Sequence, residues 1–518
     1  MRRIAIAPWF AMTVGACGAD KATGLEPVAT VSLSATSLSL KIGDTQTLTA
    51  SLSDAKGRTL SGRTITWSVT DQAIAQVSAT GTLTAVAPGQ TTVTAQTEGK
   101  IATASLIVLT PPRVSIKTSQ TKVFVGDTAV ITWTSESAVT CTRTGSWSGV
   151  GEAGGQDAYV ADAGGVKTFG LSCTGPGGTA SASAKVIVPL PVYPTSYENA
   201  KKVPPLLVPR VGVRSACANN DAAAYGDFLQ EGTTSLFVHG SLYDSLTPGT
   251  MCFWRRTAQD TWQDATQEVL QDQRGCLHPR KAVVADFNRD RRPDIYTACH
   301  GWDYPPYPGE RSILLMSTST GKYNRIELPE VGFTHGASAA DVNGDGYPDV
   351  LFMNSNKRLY YVLLNDRGTG TFTRDDSRLP NAYLAGRPWY TTELVDIDLD
   401  GNLDIFVAGG DSDGPSNAPA SVLWGDRDGR FTQRAPLVLP REPGCQVTED
   451  MLLQAGHIYL LRECSVNKGY ALQKVSIAGL SSVLVADGKT AGDWYAWIFP
   501  VEGKLYLGRL QNYLRIDP

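Results

Sequence analysis

The sequence predicts an all-β chain in which two β-sandwiches precede a β-propeller of about six blades. Two observations carry the propeller. Nine-residue acidic segments begin at Asp286, Asp341 and Asp396, spaced by 55 residues, and a fixed period of that size marks a repeat architecture. Each period also holds four short apolar segments, the strand content of one blade. The sandwiches rest on a third observation. Between Val28 and Val188, short runs rich in Val, Thr and Ser alternate polar with apolar residues and are cut by turns, the pattern of half-buried strands.

The 518 residues suffice for three or four domains. A formal net charge of −4, with no basic cluster, argues against nucleic acid as a partner. At the N-terminus, Arg2 and Arg3 precede the mostly apolar Ile4–Ala16, an export signal too short to span a bilayer. It ends in Val14-Gly15-Ala16-Cys17, which resembles a bacterial lipobox. The resemblance implies a signal peptide over 1–16, lipid on Cys17 as the membrane attachment, and a tether over 18–27. Gly18, by likeness to diderm lipoproteins, implies outer-membrane sorting, with the protein facing periplasm or cell surface. The alternative is an ordinary secretory signal cleaved nearby.

Nine cysteines leave eight once Cys17 is set aside. They fall into neighbours: Cys141 with Cys173, Cys217 with Cys252, Cys276 with Cys299, and Cys445 with Cys464. Four local disulfides in an oxidising compartment is the economical reading.

Residues 28–110 form the first sandwich. Ile42-Gly43-Asp44-Thr45, Trp67, Ala75–Ser78, Gly81–Ala85 and Pro88-Gly89 resemble the bacterial immunoglobulin-like (Ig-like) group 2 family. With no cysteine in the segment, burial around Trp67 must hold it. Pro111-Pro112 opens a second sandwich, 111–190, where Gly126-Asp127-Thr128 and Ile131–Thr134 repeat the landmarks. It resembles a bacterial Ig-like module. Cys141 and Cys173 are expected to pin opposite sheets, and Trp147 to pack back on the sheet rather than touch a partner. All five histidines lie beyond residue 238, so both modules read as a stalk. Pro189, Pro191 and Pro194 then form a stiff linker.

The propeller occupies 191–518. Apolar strands enter the acidic segments at 282–285, 337–340 and 392–395, and others leave at 295–298, 350–353 and 405–408. Hairpins follow, with Tyr323, Phe372 and Phe431 on the returning arm. Degenerate copies start at Asp227 and Asp450, and a last lies near Trp497–Leu507. Seven blades is the alternative if the first and last segments share one.

Each acidic segment places oxygen-bearing side chains at positions 1, 3, 5 and 9, and the second and third carry Gly at position 6. That spacing suits Ca²⁺, which takes six to eight oxygens. An EF-hand is rejected, because its position-12 Glu is here Thr297, Phe352 or Val407 on a strand. A catalytic carboxylate pair is rejected, because no base or nucleophile repeats with the acids. The remaining rival is a solvated acidic turn, strongest for the 286 loop with its Arg289, Arg291 and Arg292.

These segments resemble the FG-GAP/VCBS calcium-loop propellers, although the Phe-Gly and Gly-Ala-Pro signatures are absent. The resemblance implies structural calcium held by Asp286, Asn288, Asp290 and Asp294, by Asp341, Asn343, Asp345 and Asp349, and by Asp396, Asp398, Asp400 and Asp404. The backbone carbonyls of Arg292, Tyr347 and Asn402 complete the three sets.

With the acidic loops on one propeller face, the other carries the enlarged loops 299–308 and 409–417 and the connection 383–390. Trp302, Tyr304, Tyr307, Arg387, Trp389 and Tyr390 would offer a ligand stacking surfaces there. The rival role for Trp302 and Trp389 is to plug the central channel or pack between blades. The resulting expectation is a monomeric, non-catalytic binding or adhesion protein for an extracellular glycan or protein. A propeller enzyme and a structural envelope protein are the alternatives. The enzyme has one foothold, His300 and His335 meeting on that face.

Overall fold

The computed structural model describes residues 25–203, 220–241, 246–258, 261–355, 359–411, 417–464, 469–489, 495–509 and 512–517. The export signal, Cys17 and Cys217 lie outside them. No helix among the described residues is long and apolar enough to cross a membrane. The chain divides into two compact units. One gathers residues up to Lys117 with 132–156 and 169–184; the other gathers 118–131, 157–168 and 185–518.

In the first unit, alternation places Leu40, Leu48, Leu83, Val93 and Leu106 in one core, against which Trp67 packs. Gly81 sits at φ +83°, and a Cβ there would stand 2.8 Å from the Trp67 ring. The left-handed backbone, the Leu48 carbonyl oxygen at 2.4 Å from such a Cβ and the indole together require a glycine. The Cys141–Cys173 disulfide forms, but between residues directly opposite on two neighbouring strands, Thr140–Gly145 and Gly165–Gly175. The expectation that it pins opposite sheets is corrected: the register brings both side chains out on one face of one sheet. Trp147 packs back as expected, edge-on to Trp133 at 5.1 Å and to Phe169 at 5.6 Å, and its Nε1 donates to the Gly170 carbonyl.

The second unit holds six consecutive antiparallel sheets, the blades of the propeller. Their first strands (A) are Asn220–Gly226, Pro279–Ala285, Thr334–Ala340, Trp389–Val395, Val447–Gln454 and Trp497–Val501. Blades 1 to 5 have four strands and blade 6 has three among the described residues. Tyr225 and Tyr513 share a hydrogen bond between blades 1 and 6. Strand B is buried along its whole length in blades 1 to 4, which accounts for its unbroken apolar runs.

Two details differ from expectation. Phe431 lies outside the returning arm of blade 4, which is Leu437–Val438; its ring is instead buried in the core. Asp450 lies within strand A of blade 5 and does not open a long loop. Blades 5 and 6 instead turn through Ala455-Gly456 and Glu502-Gly503, each pair left-handed, the two-residue geometry whose twist matches the flanking strands.

The linker ends in a helix, Ser196–Lys202, which contacts strand A of blades 1, 2, 3 and 4. Thr195 caps it, its Oγ1 accepting from Glu198 N at 3.0 Å. Asn199 Nδ2 donates to the carbonyls of Tyr193, Thr195 and Val284, and Oδ1 accepts from Tyr193 N. Ser196 Oγ accepts from Ala339 N, and Tyr197 OH from Leu453 N. Lys201 Nζ donates to Asp450 Oδ2 and to the Ile498 carbonyl. Beside the helix lies a cavity of about 120 Å³, bounded by Ala224, Lys281, Glu393, Asp450 and Phe499. The linker thus continues into a plug, built largely on polar contacts because inner strands such as Gly336–Ala340 offer little side-chain bulk.

Asn199→Ala would strand several buried backbone groups at once. A loss of about 2–3 kcal/mol in the stability of the propeller is expected, measured as a lower urea midpoint of its unfolding transition. An unchanged midpoint would remove the plug from the account of propeller stability.

Candidate functional site

Four A–B loops follow one backbone course, including the degenerate copy at Asp227. Position 4 is left-handed in Gln230, Arg289, Gly344 and Leu399, and position 6 in Gly232, Arg291, Gly346 and Gly401. The first aspartate imposes this. Its carboxylate accepts the N–H groups of positions 5 and 6, from Glu231 and Gly232 at Asp227, and from Asp290 and Arg291 at Asp286. Asp341 takes those of Asp345 and Gly346, and Asp396 those of Asp400 and Gly401.

The ninth residue ties each loop to its blade. Asp294 accepts from Phe287 N and Ser317 N, Asp349 from Val342 N and Asn365 N, and Asp404 from Ile397 N and Gly425 N. In blade 1, Ser235 Oγ takes that place and accepts from Phe228 N. A serine standing for an aspartate makes this copy read as degenerate in the sequence, though its turn is the same.

The remaining predicted ligands take part in the turns. Asn288 and Asn343 each accept the position-5 N–H. Asp290, Asp345 and Asp400 accept from Arg292 N, Tyr347 N and Asn402 N. Asp398 is bonded by Arg434. The three arginines of the 286 loop find partners outside it. Arg289 lies over the Tyr347 ring, Arg291 pairs with both oxygens of Asp127 at 3.0 Å, and Arg292 donates to the Thr318 carbonyl. Arg291 bears the left-handed conformation at roughly 1–2 kcal/mol, where glycine would bear none.

Fit to a hard cation differs among the loops. Asp396, Asp398 and Asp404 bring one oxygen each to within 4.8 Å of one another, and among the described residues the 286 and 341 loops form no such triad. Burial pushes Asp294 up to about 8, Asp349 to about 7 and Asp404 to about 6, against the pull of the backbone donors on each.

The opposite face is organised by a recurring β-bulge. Strand A of blades 2, 3 and 4 carries one extra residue relative to its partner, at Arg280, His335 and Tyr390. These share the 55-residue period of the acidic loops. A bulge redirects its side chain and is common beside functional sites. Tyr390 was expected here for its ring; Arg280 was missed, and its period was the signal that could have found it.

Loop 299–308 meets these bulges. The Cys276–Cys299 disulfide joins the segments carrying His278 and His300, and His300 N donates to the His278 carbonyl at 2.9 Å. Ring centroids lie 4.4 Å apart for His300 and His335, 4.8 Å for His335 and Tyr390, 6.1 Å for His278 and Trp302, and 5.0 Å for Trp302 and Tyr304. His300 and His335 therefore meet as expected. Burial holds His335 down at about 3 and keeps His300 far below its ordinary value, so both imidazoles are neutral.

The predicted ligand set divides. Trp302 is half-buried, while Tyr304 and Tyr307 are 50% and 39% exposed; Tyr307 stands edge-on to Phe333. Trp389 is fully buried, with Nε1 donating to the Leu384 carbonyl. Its expected place on a ligand surface is corrected: it belongs to the core of blades 3 and 4. Arg387 stacks on Tyr383 at 4.5 Å. In loop 409–417, Asp411 is buried and paired with Arg441 and Arg462, and residues 412–416 lie outside the described residues. Of the other predicted disulfides, Cys445–Cys464 forms, and Cys252 is disulfide-bonded.

Residues 27–108 match the bacterial Ig-like domain (group 2) family and residues 341–407 the FG-GAP-like repeat. No curated protein matches the chain. Among solved structures, a structural genomics protein of unknown function from Bacteroides thetaiotaomicron VPI-5482 is 12% identical, over 77% of this chain and 95% of its own, at a TM-score of 0.32. Domains 4 and 5 of the S-layer protein SbsC are 20% identical, over 31% of this chain and 98% of their own, at 0.18. The Yersinia pseudotuberculosis adhesin InvE is 15% identical, over 32% of this chain and 60% of its own, at 0.16. Scores this low carry no functional weight.

The raised aspartates set a pH dependence. Between about pH 4 and pH 8 the folded chain holds more protons than the unfolded one. The contribution of these groups is thus present below their unfolded value and lost as pH rises through about 6–8. In chelator, the propeller's thermal midpoint is expected to fall across that range, and millimolar Ca²⁺ to suppress the fall. A chelated chain equally stable at both ends would contradict the burial effect, and a fall that Ca²⁺ leaves unchanged would contradict the metal.

Proposed function

We propose that this is an exported cell-envelope protein, lipid-anchored through Cys17 and sorted to the outer membrane, with its propeller facing periplasm or cell surface. The two Ig-like sandwiches serve as a stalk. The propeller is a monomeric, non-catalytic binding module for an extracellular glycan or protein. One observation carries the reading: Trp302, Tyr304 and Tyr307 sit on a single loop, tied by the Cys276–Cys299 disulfide at its base, on the face away from the acidic loops. Partly exposed aromatic rings on an anchored loop suit stacking against sugar rings or apolar peptide side chains.

Calcium in the acidic loops would neutralise clustered carboxylates and brace the turns. Asp396, Asp398 and Asp404 fit it best, with Asp400 and the Asn402 carbonyl as further donors. The 341 set needs its carboxylates drawn inward, and the 286 set already spends a left-handed arginine to hold the same turn. Affinity on the order of 10⁻⁴ to 10⁻³ M is in keeping with extracellular modules.

A glycan array and a surface-protein array, probed with the chain from residue 18 onward, test the ligand. Trp302→Ala with Tyr304→Ala should reduce retention at least tenfold while the thermal midpoint stays within about 2 °C. Undiminished retention by that variant would move the binding surface elsewhere.

A further inference from the structure

On this face, His278, His300 and Asp303 each bring one ligand atom to within 4.8 Å of the other two. His278 and His300 are 2% and 0% exposed, and they are held in place by the adjacent disulfide and by the bond from His300 N to the His278 carbonyl. His300 Nδ1 lies 3.3 Å from the Gly301 carbonyl. Donation there fixes the proton on Nδ1 and leaves the Nε2 lone pair free, the usual way a protein orients a metal-binding imidazole. That Nε2 is buried with no hydrogen-bond partner, and it faces Asp303 Oδ1 at 3.8 Å. The separation is too long for a hydrogen bond. Two electron-pair donors confronting each other across that gap repel unless a cation stands between them.

We propose that His278, His300 and Asp303 hold a divalent transition-metal ion, with Zn²⁺ the best match to two imidazoles and a carboxylate. Two bonds of about 2.1 Å bridge donors up to roughly 4.2 Å apart. The His300–Asp303 gap is within that reach, and a movement of about half an ångström brings in the third donor. Asp303, with a 42% exposed side chain, is free to make it. Arg280 supplies the outer support, its Nη2 holding Asp303 Oδ2 at 3.0 Å and turning Oδ1 toward His300. The donor set also separates this site from the acidic loops. Imidazole nitrogen suits zinc, copper or nickel, whereas calcium takes oxygen. Bound metal would tie loop 299–308 to the start of blade 2 and fix Trp302, which stacks on His278.

The test uses the full chain from residue 18 with excess Ca²⁺ present, so that the acidic loops do not compete. Zn²⁺ titrated against a chromophoric chelator is expected to bind at one equivalent with submicromolar affinity. Co²⁺ in its place should give the visible absorption of a low-symmetry nitrogen–oxygen site. Asp303→Ala and, separately, His300→Ala should each weaken Zn²⁺ binding about 100-fold or more. His300 is buried and its variant can misfold, so the exposed Asp303→Ala carries the decision, with circular dichroism and thermal midpoint showing that the fold is kept. No Zn²⁺ binding by the folded parent, or unchanged binding by folded Asp303→Ala, overturns the site. So does binding that Asp398→Asn abolishes and Asp303→Ala leaves intact.

Discussion

A ring of six blades must fill its own axis. The inner strands crowd there, and their residues are small in blades 1 and 3, at Ala222–Ala224 and Gly336–Ala340. Small side chains let strands converge but leave backbone polar groups looking into a void. The helix Ser196–Lys202 resolves that conflict: Asn199, Ser196, Tyr197 and Lys201 reach strand A of blades 2, 3, 5 and 6. Polar contacts of this kind specify position more sharply than apolar ones, because each unmade bond leaves a buried group unsatisfied.

In blades 2 to 4 each inner strand therefore has two differently built ends. At one, an aspartate collects two backbone N–H groups and fixes a turn that hardly varies from blade to blade. At the other, a bulge pushes out one side chain whose identity is unconstrained by the turn: Arg280, His335 and Tyr390. A constant end and a variable end suit a fold in which scaffold and recognition are separated along the same strand. The stapled loop 299–308 then concentrates the chemistry of the variable end around blade 2.

The 55-residue period made blades 2 to 4 legible, because aspartates capping their own loops leave a spacing visible in the chain. Blade 1 was harder, since Ser235 performs the anchoring with a hydroxyl. Asp450 misled for the opposite reason: an acid at nearly the right interval serves Lys201 at the axis instead of a turn. The axial helix was overlooked among prolines, although Thr195 and Glu198 form the spacing of a capping box. Trp389 could be placed on the correct side of the propeller but not in its interior, because burial of an aromatic next to a glycine-containing connection depends on the packing of two blades. Register, too, stayed hidden until pairing was known, and with it the intra-sheet position of Cys141 and Cys173.

The helix at the axis also ties closure of the ring to the order of the chain. It precedes every blade in the chain, so the surfaces that hold it all lie later in the sequence. Contacts to Asp450 and Ile498 span 249 and 297 residues and can form only when the ring is nearly finished. Ring closure thus rests on contacts that join the two ends of the propeller sequence, the kind whose loop-closure entropy must be met before they stabilise anything.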